Sequence, residues 1–189
     1  LKHVSNNLLK STISSTSFDS SKALNGRPVS GAIIANSIQS CQGSAIIKSI
    51  DGKYVGNSVV SNSKIMGASG GVISNSVNGL GNAFVGIGYT LDKNNNIIST
   101  ENAILGTYEN NYAQSEELTA NGGAIANYVE SSVRNDIARI GNIKANFNGN
   151  YVISNKNNAY GGAISNFYEK SHSYYTNAII DSINSTFEN

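Results

Sequence analysis

The chain has little charge, one cysteine, one proline and no tryptophan. Of its 189 residues 13% are charged, and the formal net charge is +1. Nucleic acids and anionic membrane surfaces are recognised by clustered positive charge, so neither is an expected partner. The lone Cys41 excludes an internal disulfide and is expected to be a small apolar filler. No apolar run approaches the roughly 18–20 residues of a membrane helix, so membrane contact is expected only through an anchor or barrel outside this segment.

What the chain does contain is two repeated motifs. The glycine motif, six residues of the form Gly-Gly-Ala-Ile-x-Asn, occupies residues 122–127 and 161–166, with Val for Ala at 70–75 and a looser copy at 31–36. The starts of the four copies are 39, 52 and 39 residues apart. The aromatic motif is a ring followed three positions later by Asn, as at Tyr54, Tyr108 and Phe147, and Phe18 and Phe187 occupy the same phase. These rings are 36, 54, 39 and 40 residues apart. Because both motifs share a period of about 39 residues, the sequence predicts stacked structural repeats.

Between the motifs the apolar residues alternate as in short β-strands. Ile143, Ala145 and Phe147 lie two positions apart, and the triplet ending at Tyr108 repeats this spacing. Residues 129–140 come nearest to a helical pattern and are expected to be a loop between strands. Strands this short gain a core only by stacking. We therefore expect an all-β, single-stranded parallel β-helix in which each repeat supplies two turns of about 20 residues, giving about nine rungs.

The repeated residues have structural roles in such a solenoid. Paired glycines permit positive φ and close backbone approach at a corner. Asn tolerates left-handed turns and can hydrogen-bond to its copies in the turns above and below. The residues assigned to these structural roles are Gly70, Gly71, Gly122, Gly123, Gly161, Gly162, Tyr54, Asn57, Tyr108, Asn111, Phe147 and Asn150.

At these residues the chain resembles the chlamydial-type polymorphic outer-membrane protein repeat, in which GGA[ILV] and FxxN motifs alternate. The copies starting at Gly122 and Gly161 match the first motif, and the copy starting at Phe147 matches the second. Val72 replaces Ala in one copy, and Ser21 replaces Asn in another. The resemblance implies a right-handed parallel β-helix, display at a cell surface as an autotransporter passenger, and an adhesive or host-contact role. It implies no catalytic residue.

The period is broken once, between Asn75 and Tyr108, where one repeat is longer by 13 residues. Residues 88–98 have the pattern of a hairpin with a polar turn. Insertions in solenoids project from one face, which is often the binding face. Residues 77–100 are therefore the candidate contact region. The alternative interpretation, a loop that has no partner, fits the sequence at least equally well. The candidate binding residues are Tyr89, Asp92, Lys93, Asn94 and Asn95.

No metal, cofactor or catalytic group is expected. The run from Asp92 resembles the start of a calcium loop, but Ile97 and Ala103 stand where such a loop needs Gly and Glu. Glu116 and Glu117 form the only adjacent acidic pair, and a solvated turn is the simplest interpretation. Polysaccharide-cleaving β-helices require clustered carboxylates, which the sequence does not suggest.

The expected organisation is one monomeric β-helix segment of a larger protein, with residues 1–29 irregular or capping-like. The expected function is attachment or host contact by a surface-displayed, outer-membrane or secreted adhesin-like passenger. Its partner would be a host-surface glycan or protein. The alternatives are a carbohydrate-active β-helix of the lyase or hydrolase type and a purely structural solenoid stalk.

Overall fold

The computed structural model describes residues 3–14, 17–19, 29–39, 42–62, 64, 67–79, 81–130, 135–168 and 177–189, with side chains from residue 31 onward. Ser21 and Cys41 lie outside these ranges. Every regular element within them is a β-strand. In this part of the chain we find no helix that could cross a membrane.

The strands are, in chain order, β1 (His3–Ser14), β2 (Ser17–Asp19), β3 (Val29–Ser30), β4 (Ile34–Gln39), β5 (Gly43–Val55), β6 (Ser58–Ser61), β7 (Ala68–Ser69), β8 (Ile73–Asn78), β9 (Ala83–Ile87), β10 (Tyr89–Leu91), β11 (Ile97–Ser99), β12 (Ile104–Glu109), β13 (Tyr112–Ser115), β14 (Ala120–Asn121), β15 (Ile125–Val129), β16 (Ile137–Asn148), β17 (Tyr151–Ser154), β18 (Ala159–Tyr160), β19 (Ile164–Tyr168), β20 (Asn177–Ile183) and β21 (Thr186–Glu188).

Four parallel sheets contain all but two of these strands. Sheet 1 holds β1, β5, β9, β12, β16, β20 and β21; sheet 2 holds β2, β6, β13 and β17; sheet 3 holds β3, β7, β14 and β18; sheet 4 holds β4, β8, β15 and β19. The remaining pair, β10 and β11, is antiparallel. The chain passes through sheets 2, 3, 4 and 1 in turn and then returns to sheet 2. We call one such passage a coil; the arrangement is all-β and consistent with a β-helix.

The register shows that one sequence repeat forms one coil. Tyr112 pairs with Tyr151, and Ile125 pairs with Ile164, its equivalent in the next repeat. The prediction of two turns of about 20 residues per repeat is therefore wrong. Equivalent residues of successive repeats lie on directly neighbouring strands, and no additional coil lies between them. Sheets 2, 3 and 4 contain four described strands each and the longest path through sheet 1 contains five, so the described strands do not show nine rungs. The spacing of a motif reveals which residues are equivalent, but not how many corners one coil contains.

Single strands add detail to two further expectations. Within residues 1–29, expected to be irregular or capping-like, β1 and β2 pair with β5 and β6, and the register of β1 shifts between Val4 and Leu8. In the 129–140 stretch, Ile137 already begins β16, which narrows the expected loop. The intervening residues 131–134 lie outside the described chain.

The glycine motif forms the corner between sheets 3 and 4. Gly122 has φ +62°, and a Cβ added there would lie 2.1 Å from the carbonyl oxygen of Ile125. At the second glycine the constraint comes from the next coil, since a Cβ on Gly123 would lie 1.9 Å from the carbonyl oxygen of Gly162. The first glycine therefore provides a left-handed bend, and the second allows neighbouring coils to approach.

The rings of the aromatic motif stack along the interior. Tyr54 lies 5.0 Å from Tyr108, Tyr108 lies 5.1 Å from Phe147, and Phe147 lies 5.2 Å from Phe187, measured between ring centroids. Isoleucines from sheets 1 and 4 complete this cluster, among them Ile50, Ile73, Ile104, Ile125, Ile140 and Ile143. Stacked rings attract each other in addition to the gain from burying their apolar surface. The stack therefore favours the register in which equivalent residues of successive coils lie beside one another.

Asparagine side chains form two ladders that cross the coils. In the longer ladder the Nδ2 of Asn36 donates to Asn75 at 2.8 Å, Asn75 donates to Asn127 at 2.8 Å, and Asn127 donates to Asn166 at 2.7 Å, each time to Oδ1. Asn127 also donates to the main-chain oxygen of Ala138 in sheet 1 at 3.2 Å.

The shorter ladder lies beside the aromatic stack. Asn57 donates to Asn111 at 2.8 Å, and Asn111 donates to Asn150 at 2.9 Å. The main-chain N–H of Asn111 also donates to the Oδ1 of Asn150, at 3.0 Å. The predicted Asn ladders are thus confirmed, and they satisfy polar groups that the corners would otherwise leave unpaired.

Replacing a ladder residue should destabilise the fold. Asn127→Ala removes a fully buried amide and leaves its partners unpaired, so we expect the free energy of unfolding in urea to fall by about 2–4 kcal/mol. Asn94→Ala, at an exposed position, is the control and should change it by less than about 0.5 kcal/mol. Equal effects of the two substitutions would contradict the ladder's role.

The second glycine offers a matched pair of substitutions. Gly123→Ala forces a Cβ against the backbone of the next coil, so we expect a loss of at least about 2 kcal/mol in the free energy of unfolding. Gly162→Ala occupies the same motif position, but its Cβ would lie 3.3 Å from the nearest atom, the oxygen of Asn150. Its expected cost is below about 1 kcal/mol. Similar unfolding midpoints for both variants would disprove the close approach of the coils.

Candidate functional site

The insertion is an antiparallel hairpin that leaves sheet 1 between β9 and β12. Gly88 still donates its N–H to the oxygen of Ile47, and Ala103 donates to the oxygen of Asn142. Residues 89–102 are therefore the extra segment, which is shorter than the expected 77–100 and ends two residues beyond it. β5 and β16 run uninterrupted on either side and pair with both β9 and β12. The hairpin predicted from sequence is confirmed as Tyr89–Leu91 paired with Ile97–Ser99.

The tip of the hairpin is held by the Asp92 carboxylate. Its Oδ1 accepts the main-chain N–H groups of Asn94 and Asn96, both at 2.8 Å, and its Oδ2 accepts the Asn96 side chain at 3.0 Å. These hydrogen bonds, those from Asn96 above all, lower the pKa of Asp92. Asn95 has φ +63°, a left-handed conformation that Asn tolerates. The carboxylate is thus engaged within the turn.

The base of the hairpin is tied to the outward side of sheet 1. The hydroxyl of Tyr89 donates to Asp181 Oδ2 at 2.6 Å, and Arg139 Nε donates to Asp181 Oδ1 at 2.7 Å. The guanidinium lies 5.7 Å from the centre of the Tyr89 ring, and Phe84 packs edge-on against that ring at 5.3 Å. Residues from two successive coils therefore hold the hairpin in one orientation.

These contacts divide the five predicted binding residues. Tyr89 is 4% exposed and anchors the base, so it does not form part of a projecting tip. Asp92 shapes the turn. Lys93, Asn94 and Asn95 are exposed at the tip, and the apolar Ile98 is exposed on the returning strand. The hairpin can therefore offer a partner one cation, two amides and a small apolar side chain.

The acidic pair Glu116–Glu117 lies in the turn between sheets 2 and 3. Glu117 accepts a hydrogen bond from Lys156 at 2.8 Å, and this contact lowers the pKa of Glu117. Glu116 accepts one from Asn155, the neighbour in the next coil. Across the described ranges, no group of three or more His, Cys, Asp or Glu side chains could hold a metal ion. The pair thus links two coils at their surface.

The Arg139–Asp181 pair was not identified from the sequence. The two residues lie 42 positions apart, so no local motif joins them. Both lie on the outward side of sheet 1, where Arg139 follows the inward Ala138 by one position. The alternation signal alone would have placed Arg139 outside, but only the pairing of β16 with β20 brings it to Asp181.

Comparisons of this chain with protein-family models, with curated proteins and with solved structures found no match.

The buried tyrosines make stability sensitive to alkaline pH. Burial, with the Asp181 hydrogen bond, raises the pKa of Tyr89, and burial raises the pKa of Tyr108 well above its usual range. Unfolded tyrosines lose their protons near about pH 10, whereas the folded protein keeps these two protons to higher pH. The folded state then binds more protons, so the free energy of unfolding should decrease above about pH 10.

Two variants test this dependence in urea titrations between about pH 8 and pH 11. Tyr89→Phe and Tyr108→Phe should each reduce the alkaline decrease. The Tyr108 hydroxyl is buried and has no hydrogen-bond partner, so Tyr108→Phe should also raise stability near pH 8 by about 1 kcal/mol. Parallel pH profiles for the wild type and both variants would contradict the assignment.

Proposed function

We propose that this chain is a segment of a right-handed parallel β-helix that acts in attachment, as part of an adhesin-like passenger displayed at a cell surface or secreted. The observation that carries the proposal is the pair of Asn ladders with the aromatic stack beside them. These contacts occupy the repeated residues of the interior. The repeated residues thus hold the stacked coils together. Binding of a partner is therefore assigned to the side chains that point outward.

In sheet 2 the outward side chains differ in chemistry more than the inward ones. From β6 to β17 the inward row holds Val59, Ala113 and Val152, which are all small and apolar. The outward row beside it holds Val60, Gln114 and Ile153. A uniform interior with a varied exterior suits a rod that makes many shallow contacts, whose strength comes from multivalent display.

Contacts of the acidic residues favour binding over catalysis. Asp92 is engaged by its own turn, Glu117 by Lys156 and Asp181 by Arg139. Cleavage of a polysaccharide needs an acid and a base free to exchange protons. Structural use of these three carboxylates supports the attachment role over the carbohydrate-active alternative. The purely structural stalk remains the second candidate and is distinguished by experiment.

The test uses beads coated with the chain on cultured epithelial cells. Wild-type beads should be retained several-fold more than beads coated with an unrelated β-protein. Deletion of residues 89–102 joins Gly88 to Ala103 in the way that Gly141 is joined to Asn142 in β16. This variant should keep its far-ultraviolet circular dichroism and lose part of the retention if the hairpin contacts the partner.

Two results would change the proposal. Wild-type retention equal to that of the unrelated protein would reject the attachment role and favour a stalk. Full retention by the folded deletion variant would move the contact from the hairpin to the faces of the rod.

A further inference from the structure

The hairpin of residues 89–102 has a strand edge that no described strand covers. β10 and β11 form a two-stranded sheet of their own, and neither pairs with any other strand in the described ranges. The hairpin leaves sheet 1 between β5 and β16, and β20 lies beyond β16, so this exposure does not result from the end of the described stack. On β11 the side chain of Ile98 is 45% exposed, and Ser99 is exposed beside it. We call the side of β11 that lies away from β10 the free edge.

The hydrogen bonds within the hairpin determine which main-chain groups face the free edge. The main-chain oxygen of Asn96 and the main-chain N–H of Thr100 both bond to the first arm of the hairpin. Main-chain groups of successive residues in an antiparallel strand point to opposite edges. Ile98 therefore faces β10 with its main chain, and the N–H and C=O groups of Ile97 and Ser99 face the free edge. Such a row of unpaired groups is a template for a further strand.

A second copy of β11 fits the free edge best in one register. Two identical strands can pair antiparallel about a twofold axis, so that both copies use the same residues. If Ile97 of each copy pairs with Ser99 of the other, the outward main-chain groups are satisfied and Ile98 lies opposite its own copy. This is a non-hydrogen-bonded position, where the two Cα atoms come within about 4.5 Å and the side chains touch. The two other registers centred on β11 place Ile98 opposite the polar Asn96 or Thr100.

The charges of the hairpin are complementary in this arrangement. Lys93 is exposed at the tip, and Glu101 is exposed at the base of the returning strand. Neither side chain forms an ion pair with a described residue. In an antiparallel pair the tip of each hairpin lies beside the base of the other, so Lys93 of one copy comes near Glu101 of the second. Opposite charges at the rim of an interface favour the correct partner and its register.

We propose that the free edge of β11 binds a second copy of this chain, so that the two hairpins form one antiparallel sheet across a twofold axis with Ile98 at its centre. The contact uses few residues of each copy and is smaller than the roughly 1,200 Å² of a standard interface. The dimer is therefore weak, and it gains strength where many copies are displayed together. It differs from the monomeric organisation that the sequence predicts, and it does not depend on the attachment role.

Sedimentation equilibrium of the full chain between about 10 μM and about 1 mM measures the association. The weight-average mass should rise with concentration toward twice that of one chain. Ile98→Lys places two like charges opposite each other at the twofold axis, so it should weaken association at least about tenfold. Ile153→Lys is the matched control, because Ile153 is 37% exposed on the outward side of sheet 2. It should leave the association unchanged.

Further variants test the main chain and the charges separately, and each should keep the far-ultraviolet circular dichroism of the wild type. Ser99→Pro removes an N–H from the free edge and none that faces β10, so the hairpin should form while the dimer is lost. Lys93→Glu and Glu101→Lys should each weaken the dimer, because each brings like charges together. The double variant exchanges the two charges and should restore wild-type association.

Three results would overturn the proposed dimer: a monomeric mass at every concentration, association that survives Ile98→Lys or Ser99→Pro in a folded chain, or a double charge variant as weak as the single ones. The second result would assign association to another surface of the rod. Sedimentation is measured without cells, which keeps the two proposals distinct. A monomeric wild type leaves the attachment role standing, whereas a dimer whose beads are not retained rejects attachment alone.

Discussion

The hydrogen bond between equivalent asparagines of successive coils is the contact on which the rest of the structure depends. An amide carries both a donor and an acceptor, so Asn75 can donate to Asn127 while Asn127 donates onward to Asn166. A slip of one residue would point every inward side chain outward and break the ladder at each level. The ladders thus fix the register that places the aromatic rings over one another.

A fixed register also determines how the chain accommodates an insertion. The extra residues cannot enter the stack without breaking its contacts, so they leave sheet 1 as a hairpin while β5 and β16 continue on either side. The hairpin is then tied back by Arg139 and Asp181, which belong to later coils. Its orientation is set by the stack, and its exposed residues lie at the tip and on the returning strand.

Buried asparagines of one coil differ in how fully their hydrogen-bonding groups are paired. Asn127 and Asn121 differ by six positions and belong to the same coil, yet one has all its hydrogen bonds and the other lacks a partner for its oxygen. The first points into the interior, and the second lines a cavity beside Tyr160.

The sequence by itself determined the repeat, the β class, the glycine corners, both Asn ladders and the hairpin, because each depends on local patterns or on equal spacing of Gly122, Asn127 and their copies. The tertiary structure decided that one repeat makes one coil, that Tyr89 is a buried anchor, and that Asn121 meets Tyr160. These outcomes depend on how far the backbone turns at each corner and on which distant strands then pair. Residues 39 or more positions apart meet only after those turns are made, so local pattern cannot encode them.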